Sequence, residues 1–189
     1  MKNKGTDRRI VKTRHALHRA MIRLLHTNRL EDMTVTMLCK EADISRSAFY
    51  DHYSVPEDCF NEIVEEMNDE IINKFLQNEY KTFDEFVDLF FEYIKSNREI
   101  FQTLFSMDPS NSEFQKTTSL YREFLHNMDP DFPTYDELIR RALTYGFVGV
   151  LRDWVNGDCK EDYHEIADLQ MKLFQLLKSD PFSQSSRKQ

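Results

Sequence analysis

Along this chain apolar side chains recur every three or four residues almost without interruption, and no segment sustains the strict alternation that a half-buried strand requires. A chain patterned this way closes its core by packing helices on one another. Only four glycines and five prolines punctuate the 189 residues. The predicted fold class is therefore all-α, with about nine helices.

Caps locate the helix starts, because a Ser or Thr oxygen accepts from the orphan amides of a first turn while a Glu three residues on reaches back. Three such boxes stand out, Ser54-Val55-Pro56-Glu57, Thr82-Phe83-Asp84-Glu85 and Thr134-Tyr135-Asp136-Glu137. In the first, Pro56 sits in the opening turn, where its missing amide costs little. Periodicity and caps together predict helices over about 7–27, 35–42, 46–52, 55–77, 83–96, 98–105, 114–128, 135–155 and 162–178. The first should bury Ile10, Leu17, Met21 and Leu24, and the third Phe49. Asn156-Gly157 reads as a helix stop, and SMDPSNS and DPDFP as breaks. The division expected is a head over 1–53, a larger helical bundle over 54–180 and a disordered tail over 181–189.

Charge separates the same two regions. The chain carries a formal charge of −8, yet residues 1–56 hold 11 Lys and Arg against 6 Asp and Glu, while the other 133 residues hold 14 against 27. An asymmetry of +5 against −13 is a signal for a polyanion-binding end on an acidic protein. Three widely spaced cysteines lack the paired spacing of a zinc or redox motif, and no window approaches the run of apolar residues needed to span a bilayer. A cytoplasmic protein with no membrane partner is expected.

Within the basic head, TVTMLCKEADISRSAFYDHY (34–53) holds a short helix, a three-residue turn and a second short helix. These are the parts of a helix-turn-helix, whose second helix enters the major groove with its N-terminal residues against base edges. Arg46, Ser47 and Ala48 occupy that end. Tyr50 lies four residues after Arg46 and three after Ser47, so all three can share a face while Phe49 points inward. Arg46 suits guanine or phosphate, Ser47 either, and the Ala48 methyl thymine. Tyr50 and His52 suit phosphate oxygens at the rim. Lys2, Lys4, Arg8, Arg9 and Lys12 supply attraction that does not depend on base sequence.

The stretch from Thr34 to Phe60 resembles the DNA-binding head of the tetracycline-repressor (TetR) family. The matching residues are Thr34 and Val35, Lys40-Glu41-Ala42, Ile44-Ser45-Arg46, and Phe49-Tyr50 with His52, Tyr53 and Glu57; similarity continues near YGFVGVLRDWVNGD (145–158). The resemblance implies a homodimeric regulator of transcription on double-stranded DNA, generally a repressor, that leaves its operator when a small-molecule effector enters the acidic domain. It implies dimerisation through the last two helices, and DNA contacts at Thr34, Arg46, Ser47, Tyr50 and His52. Pro56 stands where the family usually has lysine, Asp43 where it usually has glycine, and Asp51 adds a negative charge to the reading helix. Those departures define an alternative, a coactivator of the same fold that acts through protein partners and no longer binds DNA.

Other candidates have competing readings. Phe86, Phe90, Phe101, Phe105, Tyr121 and Phe124 suit either an apolar ligand pocket or plain core. Phe147, Val150, Leu151 and Trp154, with Leu173 and Phe174, suit a dimer seam or intramolecular core; Gly146 and Gly149 would let helices approach closely there. His15 and His18, three apart, have a metal-binding spacing but no evident third ligand, so a solvated surface pair is expected and no metal. There is no glycine-rich phosphate loop, His-Glu-x-x-His or serine elbow, and neither catalysis nor a cofactor is predicted.

Overall fold

The computed structural model describes residues 4–76, 83–108, 110–128 and 137–179, and among these every regular element is helical. The α-helices are α1 (Lys4–Leu25), α2 (Val35–Ala42), α3 (Arg46–Tyr50), α4 (Pro56–Ile71), α5 (Phe83–Ser96), α6 (Arg98–Ser106), α7 (Ser112–Met128), α8 (Glu137–Asn156) and α9 (Tyr163–Ser179). A single 3-10 turn, Leu30–Asp32, precedes α2, and a π-helical turn, Ile72–Leu76, continues α4. The expected boxes at Thr82 and Thr134 and the tail over 181–189 lie outside the described residues. The chain falls into two compact units, Met1–Asp69 and Glu70–Gln189.

In the first unit α1 buries Leu17, Ala20 and Met21 at helical spacing, and Leu38 and Cys39 of α2, Phe49 of α3 and Cys59, Phe60, Ile63 and Val64 of α4 are buried as well. Removing a side chain such as Phe49 from water contributes about 1.5–3 kcal/mol, so this one residue anchors a five-residue helix that could not persist alone. Ile10, expected inside, is 46% exposed, because α1 starts at Lys4 and its opening turns extend past the core.

The start of α4 departs from the box predicted for it. Pro56 is the first helical residue, and the carboxylate of Asp58, not Glu57, accepts from the amides of Ser54 at 2.8 Å and Val55 at 3.1 Å. One side chain thereby satisfies two orphan donors.

The second unit is built from α5 to α9. Phe91 of α5 lies edge-on to Trp154 of α8, centroids 5.2 Å apart, and stacks on Tyr163 of α9 at 5.1 Å. Tyr121 of α7 lies flat on Phe147 of α8 at 4.4 Å and 3°. Phe147, Leu151 and Trp154 are thus buried within the single chain, as the intramolecular one of their two readings requires. The Trp154 indole nitrogen donates to the Glu161 carbonyl at 3.0 Å, so this ring is satisfied internally. The stop after α8 also differs in detail: left-handed backbone falls on Asp158 and Cys159, and the Cys159 amide donates to Trp154 at 2.9 Å. Gly157 has no positive φ; its value is room, since a Cβ there would lie 3.3 Å from the Asp153 carbonyl.

Candidate nucleic-acid interface

The helix-turn-helix is assembled by local hydrogen bonds that its sequence dictates. Thr34 caps α2, its hydroxyl accepting from the Met37 amide at 3.2 Å. Past the other end of α2, Asp43 adopts left-handed backbone at φ 54° and ψ 50°. This lets the amide of Ile44 reach the Cys39 carbonyl at 3.0 Å and that of Asp43 the Lys40 carbonyl at 3.4 Å, the paired closure typical of a helix C-terminus. Ser45 then caps α3, its hydroxyl accepting from Ala48 at 3.1 Å. Arg23 of α1 clamps α2 by donating to the Glu41 side chain at 2.5 Å and its carbonyl at 3.2 Å.

With Phe49 fully buried, the opposite side of α3 is presented outward. Arg46 and Ser47 are exposed, Ala48 is half-buried and Tyr50 is 53% exposed. A guanidinium nitrogen of Arg46 donates to the Tyr50 hydroxyl at 3.4 Å, so these two side chains lie along one face. His52 is half-buried with its ring 6.0 Å from that of Tyr53, set back from the three leading residues. Thr34 is exposed although its hydroxyl oxygen is engaged as a cap. Of the basic N-terminal residues, Arg9 and Lys12 are exposed on α1; the Lys4 and Arg8 side chains, and Lys2 altogether, lie outside the described residues.

A feature the periodicity did not reveal lies behind α3. His18, expected at the surface, is only 8% exposed. Its Nε2 lies 2.9 Å from the Tyr53 hydroxyl and 3.2 Å from Glu62 Oε2, and its Nδ1 lies 3.2 Å from Glu66 Oε2. Arg14 pairs with the same two carboxylates at 3.0 and 3.3 Å. Tyr53 donates its hydroxyl to Glu62. Burial works against ionisation of Glu62, but the hydrogen bonds from Tyr53 and His18 and the charge of Arg14 outweigh it and hold the carboxyl below its usual range. Burial and the adjacent Glu62 push the Tyr53 phenol well up. The available signal was a pair of ladders, Arg14 with His18 and Glu62 with Glu66, each spaced four residues apart on facing helices.

In the second unit, Phe101 and Phe105 pack 5.7 Å apart inside the protein and Phe90 is half-buried, while Tyr121 pairs with Phe147. The side chains of Phe86, Phe124 and Phe174 lie outside those described. Val150 is half-buried and Leu173 is 39% exposed. Among the described residues no helix is long and apolar enough to cross a membrane, and no three His, Cys, Asp or Glu side chains are grouped to hold a metal ion.

Comparison with known proteins places this geometry. Residues 81–176, just over half the chain, match the family model described as "Transcriptional regulator C-terminal region". A curated relative, the uncharacterized HTH-type transcriptional regulator YxbF of Bacillus subtilis (strain 168), is 33% identical over 73 residues, which are 38% of this chain and 19% of that protein; the match therefore spans about a fifth of the relative's length. A TetR transcriptional regulator from Streptococcus agalactiae 2603V superposes with a TM-score of 0.69 at 24% identity, covering 89% of this chain and 96% of that one. NalD, the secondary repressor of the MexAB-OprM multidrug efflux pump in Pseudomonas aeruginosa, superposes with a TM-score of 0.59 at 17% identity, covering 86% of this chain and 96% of that one.

Proposed function

Because the chain belongs to the TetR family of transcriptional regulators, which are not enzymes, we propose that it binds double-stranded operator DNA as a homodimer and represses transcription until a small molecule enters its second unit. The observation that carries this reading is the outward face of α3, where Arg46, Ser47 and Tyr50 are exposed over a fully buried Phe49. Arg46 is the expected base reader, since a bidentate contact to guanine discriminates by about 1–3 kcal/mol. Thr34, Tyr50 and His52 serve the backbone phosphates, Ser47 and Ala48 the bases beside Arg46. The similarity to NalD, a repressor, supports the sign of regulation. The aromatic interior of α6, α7 and α8, including Phe101, Phe105 and Tyr121, supports an apolar effector.

A dimer on a palindrome should hold its two copies of α3 about 34–36 Å apart, one turn of duplex. Fluorescence anisotropy with a duplex from upstream of the gene tests the proposal. Affinity should fall steeply as salt rises, and the double variant Arg46→Ala/Tyr50→Ala should lose it. Equal binding by the two proteins would overturn the assignment of α3. No binding by either at low salt, with a protein partner retained in stoichiometric amount, would select the coactivator.

A further inference from the structure

We propose that Asp51 is a specificity-determining residue of the DNA interface, its carboxylate accepting a hydrogen bond from the exocyclic amino group of a cytosine in the major groove. The proposal rests on reading α3 as the DNA-reading helix.

The helix sets the direction of this side chain. Asp51 closes α3 with helical backbone, φ −69° and ψ −15°, and its amide donates to the Ser47 carbonyl at 3.0 Å, so its side chain leaves the axis in helical order. Phe49 marks the inward direction, being fully buried. At about 100° per residue, Ser47 and Asp51 fall about 20° to either side of the line opposite Phe49. Both are exposed. Arg46 and Tyr50, joined by their own hydrogen bond, flank that line on one side. Asp51 therefore points as directly away from the core as any side chain of α3, and it lies one helical turn, roughly 6 Å, beyond Ser47. With stacked pairs rising ~3.4 Å each, that step spans up to about two base pairs.

The local physics of the head gives this carboxylate nothing else to do. Glu41 is held by Arg23, Asp58 by the amides of Ser54 and Val55, and Glu62 by Tyr53. Among the described residues Asp51 has no hydrogen-bond or ion-pair partner. It also stands at the end of a helix where free carbonyls place partial negative charge, which disfavours an acid. A residue that breaks a local rule without local compensation marks a functional position. On a face that meets a polyanion, a carboxylate repels phosphates unless a donor receives it. Of the four bases cytosine suits it best, because the major-groove edge of cytosine offers an amino donor alone. Adenine sets the acceptor N7 beside its amino group, and guanine and thymine offer no donor.

Selection from a randomised duplex library by wild type and by Asp51→Ala, both as full chains, tests this. Wild type should enrich a site with cytosine at one fixed position of each half. Asp51→Ala should accept any base there, keep the preferences elsewhere, and bind unrelated duplexes at least as tightly as wild type. Replacing that cytosine by 2-pyrimidinone, which lacks only the amino group, should weaken wild type by roughly tenfold to a hundredfold and leave Asp51→Ala unchanged. An identical site selected by both proteins overturns the assignment alone, as does equal tolerance of the 2-pyrimidinone duplex. Tighter binding of Asp51→Ala to every duplex by one common factor would mean that the carboxylate only repels phosphate, and overturns it too. If neither protein enriches any sequence, the DNA reading of α3 falls and the assignment with it.

Discussion

Across the turn of the helix-turn-helix the amide of Ile44 donates to the carbonyl of Cys39 at 3.0 Å. That closure exists because the residue between them in the turn, Asp43, holds φ at 54°. For a residue with a Cβ this backbone costs on the order of 1 kcal/mol relative to glycine, less for aspartate than for most. Asp43→Gly should therefore raise the stability of the head by up to about 1 kcal/mol, and Asp43→Val should lower it by at least as much. Urea midpoints of the three proteins measure this. A midpoint for Asp43→Val equal to wild type would show that the closure does not depend on this conformation.

The 3.4 Å contact between Arg46 and Tyr50 predicts a graded response on DNA. Arg46→Ala should weaken operator binding by ~1–3 kcal/mol and relax preference at one base pair. Tyr50→Phe keeps the ring but drops the hydroxyl that receives the guanidinium, and the expected loss is smaller, about 0.5–1.5 kcal/mol. Titrations against the operator and a scrambled duplex separate the two effects. Should Arg46→Ala weaken both duplexes equally, Arg46 grips phosphate and another residue reads the base.

Glu62 gives the head a defined response to acid. Its carboxyl is held below the usual range in the folded protein, against the opposing pull of burial, by Tyr53, His18 and Arg14. A carboxyl with a depressed folded value contributes stability that is present above the unfolded value, near 4.3, and is lost as pH falls through the folded one. Glu62→Gln should be less stable than wild type at neutral pH and should lose less on going from about pH 5 to about pH 3. Parallel melting curves at the two values decide it; equal losses would remove Glu62 from the acid response.

What could be read from the sequence was what local physics decides. The extent of α2, the exposure of Arg46 and the burial of Phe49 all follow from residues within a few positions of one another. The errors fall where distant partners decide. His18 looks like a surface residue until Glu62 and Glu66 arrive from 44 and 48 positions away. Sequence left Trp154 open between a subunit seam and the core of its own chain, and it is Phe91 and the Glu161 carbonyl that place it inside. Asp58 displaced Glu57 as the cap of α4 through side-chain reach, which a four-residue pattern does not encode.

The burial of Phe147, Leu151 and Trp154 redirects the search for a dimer seam to the other faces of α8 and α9. Leu138 is 71% exposed and Tyr145 37%, seven residues apart on α8, and Leu169, Leu173 and Leu176 form an exposed stripe on α9. Among the described residues, a Cβ placed on Gly146 or Gly149 would meet nothing within 4 Å. These glycines therefore bring a helix-propensity cost of about 0.5–1 kcal/mol each with no packing return from the described residues, which is intelligible if a second copy of α8 approaches there. Gly149→Ala should then stabilise the isolated protomer, and Gly149→Leu should leave it folded yet shift sedimentation from dimer to monomer and weaken binding to a palindromic duplex. Trp154→Ala should do the reverse, costing roughly 3–5 kcal/mol of fold stability through the cavity it leaves. If Gly149→Leu sediments as wild type, the subunits meet elsewhere, and the Leu169, Leu173 and Leu176 stripe becomes the next surface to alter, with Leu173→Glu expected to yield monomer.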